Sequence, residues 1–115
     1  MRVHGERWHF TIGNNELIVE NAWHWTGYSQ ERVRLNDDII SERKGWGGFV
    51  IRSATLAEFE IFEVPHAISL IIDYKDNTPS IHCRVVTEDE IYKPDDWSKG
   101  SWDTKTYTWP PDPDP

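Results

Sequence analysis

The chain reads as an all-β domain, a small antiparallel β-sandwich or open barrel of about seven strands followed by an extended aromatic, acidic C-terminal tail. Three observations carry that expectation: period-two alternation along most of the chain, turn residues at short intervals, and a change of composition near Thr87. Alternation places successive side chains on opposite faces of a strand, so it marks a surface that is buried on one side only.

Trp8, Phe10 and Ile12 alternate with His9 and Thr11, and Gly13-Asn14-Asn15 supplies residues that tolerate positive φ. Glu16 to Ala22 follows with Leu17 and Val19 on one face, which completes a hairpin. A second hairpin runs from Glu31–Leu35 through Asn36-Asp37-Asp38 into Ile39–Arg43, and Gly45-Trp46-Gly47-Gly48 marks a loop. Phe49–Arg52 opens a third region. Phe59 and Ile61 alternate with Glu58 and Glu60, and Pro65 ends that strand. For Ala54 to Val64 a helix competes, with Leu56, Phe59 and Phe62 as its stripe, but the β-branched and aromatic content favours a strand. Ala67 to Tyr74 is the most apolar run and reads as a central strand buried on both faces. Lys75 to Pro79 is a turn, and Ile81, Cys83 and Val85 form the next alternating face.

Length and composition predict one domain with a genuine core, at 115 residues, 37% hydrophobic and 28% charged. Residues 1–92 form the β domain, and residues 93–115 form the Pro/Trp/Asp-rich tail. From Glu88 onward there are eight acids against three bases, a net −5 of the total −8. Pro94, Pro110, Pro111, Pro113 and Pro115 oppose helix and central strand at those points. Disordered tails ordinarily lack aromatics. This one carries Tyr92, Trp97, Trp102, Tyr107 and Trp109 near and within it, so it is expected to pack on its own domain or on a second copy.

The charge excludes a nucleic-acid binder, since phosphate contacts need clustered Lys and Arg. One cysteine, Cys83, excludes an intrachain disulfide framework and fits a reducing compartment. The N-terminal segment has no apolar core of a secretory signal, and no apolar run is long enough for a membrane helix. A cytoplasmic protein with no membrane partner is the expectation. His4, His9, His24, His66 and His82 lack metal-ligand spacing, so neither a metal nor another cofactor is implied. Neither a phosphate-cradling glycine loop nor a nucleophile elbow occurs.

The seven tryptophans are the strongest pointer to function. An indole offers a large apolar face and one N–H donor, which suits cores, interfaces and ligand platforms. Trp23, Trp25 and Tyr28 cluster in one segment, with Trp23 and Trp25 on one face of a strand, while Trp46 sits among glycines in a loop where binding residues concentrate. These four are the candidate ligand-binding residues. Trp97, Trp102, Tyr107 and Trp109 are the candidate interface residues of the tail. The function predicted is non-catalytic binding of a small molecule or peptide by a homo-oligomer. The alternative is an acidic, antitoxin-like inhibitor that neutralises a basic protein partner. A small enzyme ranks below both, because it requires acids such as Glu20, Glu42, Glu58, Glu60 or Glu63 to converge with a histidine, and no catalytic motif marks one.

Overall fold

The computed structural model describes residues 2–24, 26–46, 54–61, 63–75 and 78–103, and only the backbone at 46, 54–58, 70–75, 78–81, 102 and 103. Nine strands are present among them: β1 (Arg2–Ile12), β2 (Asn15–Trp23), β3 (Tyr28–Leu35), β4 (Asp38–Trp46), β5 (Ala54–Ile61), β6 (Val64–Lys75), β7 (Thr78–Val86), β8 (Ile91–Tyr92) and β9 (Asp96–Asp103). They form two antiparallel sheets, one of five strands in the order β4-β3-β2-β1-β9 and one of four in the order β5-β6-β7-β8. The all-β, two-sheet architecture is the one that the alternation predicts.

Tight turns join neighbouring strands where the chain supplies residues that accept positive φ. Gly13 (φ 61°) turns β1 into β2, and Asn36 and Asp37 (φ 51° and 69°) turn β3 into β4. Asn36 also anchors its turn to β2, because its Oδ1 accepts from Glu16 N–H at 2.9 Å and its Nδ2 donates to Asn15 Oδ1 at 2.9 Å. Between β2 and β3 the chain reverses through Gly27 (φ 95°), with His24 N–H donating to the Tyr28 carbonyl at 2.9 Å.

Of the segment for which a helix competes, Ala54–Ile61 is β5 and Val64 opens β6, and the apolar run is the inner part of β6, which lies between β5 and β7. Pro65 stands near the start of β6 opposite Glu60, rather than between strands. Phe49–Arg52 and Phe62 lie outside the described residues. Two strands that the alternation did not mark, β8 and β9, follow β7. β9 leaves the four-stranded sheet and pairs antiparallel with β1 at the edge of the other. Its entry is fixed by Asp95, whose N–H donates to the His9 carbonyl at 2.7 Å and whose Oδ2 accepts from Thr11 N–H at 2.5 Å.

The core sits between the sheets. Trp8, Phe10, Ile12, Leu17, Val19 and Val33 meet Ile61, Ile68, Cys83 and Val85, with Leu35, Phe59 and Tyr92 packed at the margin. Full burial of each aliphatic or aromatic side chain contributes about 1.5–3 kcal/mol. His66 belongs to this region too. It is buried on β6, held through Nδ1 at 2.7 Å from the Val64 carbonyl oxygen, and stacked between Phe59 and Tyr92 at centroid distances of 5.4 and 6.0 Å.

Candidate functional site

The core face of the five-stranded sheet is apolar along only part of its length. Going along β1 from Ile12, Phe10 and Trp8, the same face carries Glu6 and then His4. On β2 it passes from Leu17 and Val19 to Asn21 and Trp23, and on β3 from Val33 to Glu31 and Ser29. The register aligns these departures. Lys99, Glu6, Asn21, Glu31 and Arg43 stand directly opposite one another across β9, β1, β2, β3 and β4, so one polar row crosses the whole sheet.

Both acids in the row are held. Trp97 Nε1–H donates to Glu6 Oε2 at 3.0 Å, and Arg43 Nη2 and Nε reach Glu31 Oε2 at 2.6 and 3.2 Å. Burial pushes both carboxyls above their ordinary range. The Trp97 hydrogen bond and the charges of Lys99 and His82 oppose this at Glu6, as the bond and charge of Arg43 do at Glu31. The four-stranded sheet lies close, since the buried Cys83 thiol is pushed up by desolvation and further by the Glu6 carboxylate.

Between the acids stands Asn21, 1% exposed, with neither its Oδ1 nor its Nδ2 hydrogen-bonded among the described residues. The Oγ of buried Ser29 is likewise unbonded. An amide left unsatisfied in an interior costs about 1–3 kcal/mol, so such a group calls for a reason. Strand spacing places the Cα atoms of Glu6 and Glu31 roughly 10 Å apart, with the amide midway. The row therefore offers an N–H donor, carbonyl and carboxylate acceptors and a hydroxyl. It meets solvent at its Lys99 and Arg43 ends, where Trp97 is 50% exposed.

The opposite face of the same sheet holds a second polar cluster. The Glu20 carboxylate is 1% exposed and lies among three guanidiniums that are themselves only 12–15% exposed. Arg7 grips Oε2 through Nη2 at 2.7 Å and Nε at 3.1 Å, and Arg32 grips Oε1 through Nη2 at 2.6 Å and Nε at 2.8 Å. Arg34 Nε stands 3.3 Å from Oε1. This is a saturated carboxylate in a cationic setting, not the pair of acids that hydrolytic chemistry uses.

The sequence-predicted residues separate. Trp23 lies beside the polar row, half-buried, with its ring 5.4 Å from that of His4 at an interplanar angle of 47°. Tyr28 takes the other face, because its neighbour Ser29 is the residue opposite Trp23, and burial raises its hydroxyl. The backbone of Trp46 pairs with Tyr28, and Trp25 lies outside the described residues. Of the tail residues, Trp97 joins the row through Glu6. Trp102 is placed by its backbone opposite Val3, and Tyr107 and Trp109 lie outside the described residues.

Glu6, Asn21, Glu31, Arg43 and Lys99 escaped the sequence reading. A signal for the central three existed: each continues the core phase of its strand with a polar residue, in three successive strands. No protein-family model, curated protein or solved structure matches this chain.

Proposed function

We propose that the protein is a non-catalytic binding module that takes a small, neutral, hydrogen-bonding molecule of the polyol or sugar class against its polar row. The observation that carries this reading is Asn21, an interior amide with both polar atoms unsatisfied among the described residues. Glu6 and Glu31 flank it, each already facing a basic residue in the register, so a neutral partner fits the row better than an ion. Trp23 and Trp97, on the same face, supply the apolar ring surfaces that such ligands stack on.

Ligand-observed NMR with mono- and disaccharides, followed by calorimetry on any binder, tests the proposal. Replacing Asn21 by Leu keeps the branched shape of the side chain and removes two hydrogen bonds to the ligand, so affinity falls by about tenfold or more. The folded state of that variant is about as stable as the parent, because removing the unsatisfied amide offsets the cost of fitting two methyl groups. Trp23→Ala weakens the same ligand. A parent protein that binds no saccharide at millimolar concentration, or an Asn21→Leu variant of unchanged affinity, overturns the assignment.

A further inference from the structure

We propose that β9 is a self-association edge, along which a second copy of the chain adds its own β9 antiparallel, joining two five-stranded sheets into one of ten. Among the described residues, β9 is bonded to β1 along one side and is the terminal strand of its sheet, with Asp96 through Ser101 all exposed. An edge of this kind presents unpaired N–H and C=O groups to another strand.

The residues of β9 select a second copy as the occupant and fix its register. In an antiparallel pair related by a two-fold axis normal to the sheet, residues that face each other lie on the same side, so the axis must pass through a residue position. Four axes keep at least five residues of Asp96–Asp103 paired: those at Ser98, Lys99, Gly100 and Ser101. The axis at Lys99 opposes two ammonium groups. Those at Ser98 and Gly100 set Lys99 opposite Trp97 and Ser101, with no acid facing it. The axis at Ser101 sets Lys99 opposite Asp103 of the second copy, twice by symmetry. Because Glu6 faces Lys99 and Arg2 faces Asp103 within each chain, the row crossing that junction alternates in sign: Glu6, Lys99, then Asp103 and Arg2 of the second copy. Opposite charges directly across strands stabilise the pairing, and like charges oppose it.

Gly100 supports the same register. Its φ lies outside the left-handed region, and a Cβ placed on it would meet nothing within 4 Å. Neither conformation nor crowding among the described residues requires glycine, and glycine weakens a strand. With the axis at Ser101, Gly100 takes the register position opposite Trp102 of the second copy, the smallest residue type against the largest. This inference does not rest on the proposed ligand.

Cysteine cross-linking of the full chain tests it. On the two-fold axis, Ser101 of each copy stands opposite the other at about 4.5–5.5 Å between Cα atoms, within disulfide reach. Ser101→Cys is expected to give a covalent dimer under mild oxidation. Ser98→Cys on the same exposed edge gives no covalent dimer, because its two copies lie about 20 Å apart. Cys83 is buried and takes no part. In sedimentation equilibrium Lys99→Glu weakens the parent dimer about tenfold or more, and adding Asp103→Lys to it restores the affinity. Circular dichroism verifies that each variant is folded. A parent chain that is monomeric at about 100 µM, or equal cross-linking at positions 98 and 101, overturns the proposal.

Discussion

Replacing Glu20 by Gln tests whether the buried ion cluster stabilises the fold as its geometry implies. The substitution preserves shape, so no cavity opens, but it removes the carboxylate that Arg7, Arg32 and Arg34 share. Four guanidinium contacts of 2.6–3.1 Å lose their anion, at side chains only 12–15% exposed, where water cannot compensate freely. Removing one partner of a buried ion pair costs about 3–5 kcal/mol, because the desolvated charge left behind loses that partner. Domains of this size have a total stability of about 5–15 kcal/mol, so the loss is a large share. For 115 residues the unfolding entropy is about 0.24 kcal/mol/K, and a cost of 3 kcal/mol lowers Tm by about 12 °C. Urea unfolding monitored by tryptophan fluorescence measures the difference at 25 °C, and calorimetry measures Tm. Adding Arg32→Gln to the variant should then cost less than the same change in the parent, since the Arg32–Glu20 contact is already lost. A Glu20→Gln variant within about 1 kcal/mol of the parent would refute the reasoning and show that the guanidiniums are satisfied without Glu20.

Two further outcomes follow from single residues. Burial holds the Glu31 carboxyl above its ordinary range, so the folded chain binds that proton more tightly than the unfolded chain. The stability withheld at neutral pH is recovered as pH falls through the folded value. Measured by urea unfolding between pH 7 and pH 4, the stability of Glu31→Gln relative to the parent therefore decreases toward low pH, and a constant or opposite difference contradicts the assignment. At the β3–β4 turn, Asp37 has φ 69°, which glycine adopts without steric cost. Asp37→Gly should raise stability by about 0.5 kcal/mol, while the β-branched Asp37→Val should lower it by about 1 kcal/mol or more in the same assay.

The polar row shows why the candidate site was only half legible. Glu6, Asn21 and Glu31 each break a local alternation, and in any one strand such a residue reads as solvated. Only the register, which sets Glu6 opposite Asn21 and Asn21 opposite Glu31, turns three separate exceptions into one row. Trp23 is conspicuous because two tryptophans fall within three residues, and only the register, which sets Ser29 rather than Tyr28 opposite it, shows that Tyr28 takes the other face. His66 follows a proline, and nothing in its local sequence marks it as a core residue. Its place between Phe59 and Tyr92 depends on three strands meeting.

What the sequence by itself determined is what depends on a few consecutive residues: strands from period-two alternation, and turns from Gly13 and Asn36-Asp37, whose backbones accept positive φ. Those preferences act within a hairpin, so β1–β2 and β3–β4 were legible as pairs. Tertiary structure alone decided the rest. Residues near position 100 return to pair with the first strand, Glu20 gathers arginines from β1 and β3, and a polar row crosses five strands. Pairing between distant segments is selected by the burial and hydrogen bonding of whole sheets together. No local propensity encodes it, because the same alternating strand fits many neighbours and only the assembled core chooses among them.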